Sequence, residues 1–199
     1  MIRSFYLKTV RNLKNLINFF FELGQLKKNQ HQGWGLIGVK NYETVAEHNL
    51  RAAQIGYFLA KLENYEKPEE VATILLFHDL EECRIGDFHK VANRYINVNK
   101  EKVVSEQVKN LEELADEILN YWKQMEKQST VAGTIAKDAD LLEQALTAKE
   151  LVEIGYQYAQ DWINNVGKRL KTKSAKKIWK ILKKSSSNDW WQGLKKISL

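Results

Sequence analysis

Two histidines and a set of carboxylates fall where helices would bury them. Residues 75–87 read LLFHDLEECRIGD, an apolar run leading into His78 and Asp79 and then Glu81 and Glu82. Upstream, ETVAEHNLRAA sets His48 on an apolar stripe; downstream, KDADLLEQA carries Asp138 and Asp140. Ionisable groups cost free energy in an interior unless they are paired or bound to a metal. Two imidazoles and two carboxylates, with no thiolate, suit a divalent ion such as Mn²⁺, Co²⁺, Zn²⁺ or Mg²⁺. Four protein ligands on an ion that accepts six leave positions for water and substrate. Such an ion acidifies its water and polarises a phosphoryl oxygen. Glu82 lies four residues beyond His78 and shares its helix face, so it can take or give a proton there. Successive helical residues point about 100° apart, so His78 and Asp79 both reach one ion only near its rim. Each feature alone is ordinary. A single histidine on an apolar stripe is more often a hydrogen-bonded core residue, and Glu81 reads as a solvated helix position. The joint pattern carries the metal reading.

The elements that must position these groups are helices. Val10, Leu13, Ile17, Phe20 and Leu23 recur at helical spacing over 5–27, and KKNQHQGWG reads as a loop. Thr44 and Glu47 make a capping box at a helix start. Val45, His48, Ala52, Ile55, Leu59 and Leu62 follow as one stripe. Pro68 opens a helix over 69–83, which Gly86 ends. A long charged helix is expected over 100–126, and Thr130 caps another over 131–152 that is apolar on most faces and therefore central. One or two more helices lead to AKKIWKILKK and an aromatic tail. No segment alternates with a period of two. The expectation is an all-α domain of seven or eight helices over 18–165, with a helical extension at 1–17 and a basic C-terminal helix and tail at 166–199 packed on it.

Composition agrees. The 199 residues are 44% hydrophobic, with one proline and ten glycines, enough for one domain with a sizeable core. Cys83 is the only cysteine. That excludes an intramolecular disulfide and a four-cysteine zinc site, and it points to a reducing, cytoplasmic setting. No apolar run approaches the roughly 20 residues of a membrane span, and the N-terminus lacks the cleavage site of a secretory signal. Of the net charge of +6, the segment from Lys168 onward carries +10, with eleven basic residues against Asp189. The remainder is slightly acidic.

The order and separation of ETVAEHNLRAA, LLFHDLEECRIGD and KDADLLEQA resemble the HD-domain superfamily of metal-dependent phosphohydrolases, most closely its 5′-deoxynucleotidase branch. The resemblance spans about Phe20 to Tyr158. It implies His48, His78, Asp79 and Asp140 as metal ligands and Glu82 as the catalytic carboxylate assisting the attacking water. It implies Asp87 on the substrate sugar, Trp34 against the nucleotide, and Lys137 near an anionic substrate. Bacterial members carry arginine before that tryptophan; Gly33 stands here, as in eukaryotic-type relatives, and the phosphate contact is left unassigned. Periodicity alone favours Asp138 over Asp140. The family pattern selects Asp140 and leaves Asp138 to orient a ligand. Relatives are often dimers, which implies a homodimer.

The expected activity is hydrolysis of nucleoside 5′-monophosphates, deoxyribose preferred. The alternative enzyme is an HD-type phosphohydrolase acting on a pyrophosphate or a cyclic phosphodiester. A different class, a nucleic-acid or anionic-membrane binding module, draws on the tail, where Ala175, Ile178, Trp179 and Leu182 oppose Lys176, Lys177, Lys180, Lys183 and Lys184. Packing of that stripe on the domain is the favoured reading. His31 is placed in the loop near Trp34, with substrate phosphate as one option, and His89 on the surface.

Overall fold

The computed structural model describes residues 13–194. Ten α-helices span them, eight of nine residues or more, joined by short 3₁₀ turns. No strand occurs among the described residues, only an isolated bridge between Gln30 and Thr44. The all-α expectation holds. No described helix is long and apolar enough to cross a membrane.

The centre is α7, Val131–Glu153. Thr130 caps it, its hydroxyl accepting from the Gly133 N–H at 3.0 Å. Alanines, leucines and Ile135 put apolar groups on most of its faces. Around it pack α2 (Val45–Leu62), α3 (Pro68–Leu76), α6 (Glu113–Lys127), α8 (Gln160–Arg169) and α9 (Lys173–Leu182). At Gly133 the helix backbone passes so close to α6 that a Cβ would lie 2.0 Å from the Gln124 carbonyl oxygen.

Three helices differ from the periodicity reading. The first, α1, runs Leu13–Leu23, followed by a 3₁₀ turn over Gly24–Lys27. Val10 and the start of the expected helix lie outside the described residues. Leu13, Ile17 and Phe20 face solvent, while Phe19, Leu16 and Leu23 pack inward. Three consecutive phenylalanines put apolar groups all round this helix, so spacing could not choose the buried face.

The expected helix over 69–83 breaks after Leu76 and resumes as α4, Glu82–Ile85. The expected helix over 100–126 is two, α5 (Lys100–Val108) and α6, with Glu112 at φ 54° between them. Their buried sides still form one cluster through Val104, Val108, Leu111 and Trp122.

The apolar stripe of the basic C-terminal helix is packed, and its lysines are exposed. Ala175 and Leu182 of α9 are buried in the main core, with Ile178 and Trp179 against it, and the Trp179 indole donates to the Ile163 carbonyl at 2.8 Å. The short α10, Asp189–Gln192, is the last helix among the described residues.

Candidate active site

The break after α3 aims His78. Its Nδ1–H donates to the Leu75 carbonyl at 2.8 Å, an acceptor that a continuous helix would give to the Asp79 amide. The imidazole thereby caps α3 and turns Nε2 inward. Freed from helical geometry, Asp79 swings its Oδ2 to 2.9 Å from that Nε2. With its amide oriented to satisfy both neighbours, Asn49 donates to the same oxygen at 2.8 Å.

The capping box fixes the start of α2. The Thr44 N–H donates to Glu47 at 2.7 Å and the Glu47 N–H to the Thr44 hydroxyl at 3.3 Å. One turn on, His48 is buried; its Nδ1–H donates to Glu143, and its Nε2 lies 3.2 Å from Asp140 Oδ1. From α7, Asp140 also meets the Lys137 ammonium at 2.8 Å and the Gln144 amide at 3.0 Å. Ligand atoms of His48, His78 and Asp140 all lie within 4.8 Å of one another.

This donor set fits a divalent ion of the nitrogen and oxygen class. Each histidine spends Nδ1 on an outer acceptor, which orients the ring and leaves Nε2 for coordination. Carboxylates stand beside both, and no thiol approaches.

Electrostatics are strongly arranged. Burial alone would depress the His48 imidazolium, but Asp140 and Glu143 outweigh it and hold its pKa well above the usual range. Burial likewise opposes Asp140 ionisation, yet Lys137, His48 and His78 keep it well below the carboxylate range. Against the same penalty, His78 and His48 hold Asp79 at about 2. Glu82 goes the other way. Burial first, then the charges of Asp79, Asp87 and Glu81, push its carboxyl to about 10, with Lys100 opposing. Two neighbouring carboxyls with opposite proton affinities are the arrangement expected of an acid–base site.

These groups open into a cavity of about 410 Å³. Asp79, Glu82, Asp87, Lys137 and Asp140 line it. The backbone N–H of Gln32 holds Asp87 Oδ2 at 2.7 Å, and Gly86, at φ 72°, turns the chain into that position. A larger cavity of about 690 Å³ lies between α7 and α9, walled by residues such as Leu146, Ile178 and Trp190. It gathers no ligand set, so the chemistry belongs to the smaller one.

Several residues stand elsewhere than sequence reasoning placed them. Trp34 is buried behind the cavity wall, its indole N–H donating to Glu43 at 2.9 Å and its ring 5.1 Å from Trp162, which does line the cavity. Asp138 touches no ligand. It accepts the Lys171 and Thr172 amides at 3.0 and 2.6 Å, fixing the start of α9. Glu81 is buried rather than solvated, bonded at 2.8 Å to both Lys100 Nζ and the Trp122 indole. His31, by contrast, sits in the loop beside Trp34 as expected, lining the cavity 4.6 Å from the His48 ring, with Glu43 on its Nδ1. His89 is half-buried at the cavity edge rather than on the open surface.

Glu143 was missed. Its only signal is its place three residues after Asp140, on the same face of α7. Arg51 binds it in turn at 2.7 Å.

An all-α fold that buries a His–His–Asp cluster beneath a pocket with a proton-holding carboxyl is that of a metal-dependent phosphohydrolase. The chain belongs to the HD-domain family: the family model described as "HD domain" matches residues 23–182. It is 30% identical over 148 residues to the Bos taurus 5′-deoxynucleotidase HDDC2, covering 72% of this chain and 71% of that protein. To the Dictyostelium discoideum 5′-deoxynucleotidase HDDC2 it is 31% identical, covering 69% and 78%. Among solved structures, a conserved hypothetical protein from Pyrococcus furiosus superposes with a TM-score of 0.71 at 25% identity, over 85% of this chain and 99% of that one.

Proposed function

We propose that the protein hydrolyses nucleoside 5′-monophosphates to nucleoside and phosphate, with deoxyribose preferred. The observation that carries the reading is the convergence of His48, His78 and Asp140 within 4.8 Å at a pocket that also presents Glu82 and Lys137. The deoxynucleotidase relatives support the substrate class.

In this reading His48, His78, Asp79 and Asp140 hold one divalent ion. The ion supplies Lewis-acid polarisation of the phosphoryl oxygen and an acidified water. The remaining work falls to side chains. The Lys137 ammonium neutralises phosphate charge beside Asp140. Glu82, which holds a proton at neutral pH, gives it to the departing 5′-oxygen and takes one from the attacking water. A water oxygen–phosphorus bond forms as the bond from phosphorus to the 5′-oxygen breaks. Asp87, fixed by the Gln32 amide, accepts from a sugar hydroxyl. Glu143 and the Leu75 carbonyl keep the two imidazoles aimed.

The reading extends to a homodimer, supported by the solvent-facing Leu13, Ile17, Phe20 and Phe21 of α1. It also extends to a cytoplasmic setting, supported by the free thiol of Cys83. The test is phosphate release from a panel of deoxy- and ribonucleoside 5′-monophosphates, with pyrophosphate and cyclic phosphodiester substrates alongside. Release from the monophosphates, deoxy forms first, is expected. Turnover confined to the other two groups contradicts it.

A further inference from the structure

One wall of the cavity is a single helix face. Asp161, Trp162, Asn165 and Arg169 of α8 all line it. Positions separated by four and eight residues stack on one side of a helix. At 1.5 Å per residue, Asp161 to Arg169 is a run of about 12 Å, comparable to a nucleoside monophosphate from base edge to phosphate. The face is chemically graded, from a carboxylate and an indole at one end to a guanidinium at the other.

The cationic end points at the reacting groups. Arg169 and Lys137 act on Lys90, whose pKa falls through burial and then through their two charges. Lys137 is bonded to Asp140. No hydrogen bond or ion pair among the described residues engages Lys90 or Arg169; the Asp140 carboxylate acts on Lys90 only through space and is itself bonded to Lys137, so neither cation is directly paired at the pocket.

The aromatic end lies at Gly33. A Cβ there would sit 3.6 Å from the Trp162 ring. The absent side chain leaves that indole uncovered in the pocket, while Trp34 backs it from the core. Asp161 and Asn165 flank it, exposed. Neither carboxylate oxygen of Asp161 is engaged by a described residue.

We infer that this face of α8 reads the nucleotide: Trp162 stacks on the base, Asp161 selects bases bearing an exocyclic amino group, and Arg169 with Lys90 anchors the phosphate. The inference rests on the nucleotide substrate proposed above. A carboxylate accepts from the amino groups of adenine, cytosine and guanine. Thymine offers one imide N–H between two carbonyls, which repel it.

The experiment is isothermal titration of the full chain with the four deoxynucleoside 5′-monophosphates, in a Glu82→Gln background so that bound nucleotide survives. Trp162→Leu should weaken all four by roughly tenfold, as loss of a stacking platform does, and Trp162→Phe should restore most of the affinity. Arg169→Gln, at an exposed site, should weaken all four alike. Asp161→Asn, also exposed, should cut the preference for amino-bearing bases over thymine several-fold without weakening thymidylate. Wild-type affinities in Trp162→Leu, or an unchanged base preference in Asp161→Asn, would overturn the inference. The two proposals separate cleanly. The expected binding pattern without phosphate release by the unsubstituted enzyme sinks the hydrolytic reading alone. Phosphate release with unaltered binding in the variants sinks only this one.

Discussion

His48 donates its Nδ1–H to the Glu143 carboxylate, buried on α7 although 95 residues separate the two in sequence. The bond fixes the tautomer and the ring plane, so that Nε2 faces Asp140. Arg51 and Thr147 share the same carboxylate. Outer partners of this kind are worth roughly 10- to 100-fold in metal affinity. Glu143→Gln should therefore weaken divalent-ion binding by about that factor, measured by competition with a chromogenic chelator. Unchanged affinity would remove Glu143 from the metal centre.

Glu82 should separate chemistry from metal binding. In the mechanism above it moves a proton and holds no ion. Glu82→Gln should lower kcat by about 10²- to 10⁴-fold, the range of a lost general acid–base, while metal content by elemental analysis stays at the wild-type level. Loss of bound metal in this variant would make Glu82 a ligand instead.

Asp138 is assigned to structure. Asp138→Ala leaves the part-buried Lys171 and Thr172 amides without their acceptor, and a lost hydrogen bond of this kind costs about 1 kcal/mol. A lower Tm with unchanged metal affinity is expected from calorimetry and titration. Weakened metal binding at an unchanged Tm would restore its role as a ligand-orienting residue.

Cys83 supplies a pH test. Burial, reinforced by the charge of Glu22, raises its thiol from 9.0 to about 12. The folded pKa exceeds the unfolded one, so this group's contribution to stability is intact below about pH 9 and is lost as pH rises towards 12. The thiolate is the reactive form. Iodoacetamide labelling near pH 9 should be at least tenfold slower in native protein than in denaturant. Equal rates would contradict the burial.

Much of this was legible in the sequence because it depends on local chemistry. The Thr44–Glu47 box, the Thr130 cap and the central, apolar α7 follow from spacing and propensity alone. The convergence of His48 and His78 was legible because both are polar residues on apolar stripes, a pattern that is ordinary singly and informative jointly. Other features depend on tertiary context. Helical periodicity does not announce the break after Leu76, because His78 makes it with its own side chain. It could not choose the buried face of α1, where Phe19, Phe20 and Phe21 are chemically alike. Glu81 looked solvated because Lys100 and Trp122, which neutralise and cap it, come from other helices. Asp138 and Asp140 were separable only by family pattern, since both are buried on α7 and only packing decides what each meets.

The central claim is that His48, His78, Asp79 and Asp140 hold a divalent ion on which turnover depends. The most direct measurement is phosphate release from deoxynucleoside monophosphates by metal-stripped protein. Mn²⁺, Co²⁺, Zn²⁺ or Mg²⁺ is then restored, with His78→Ala and Asp79→Ala in parallel. The account predicts no release without metal, recovery with at least one of these ions, and no recovery in either variant. Release that persists without metal, or recovers equally in both variants, would contradict it.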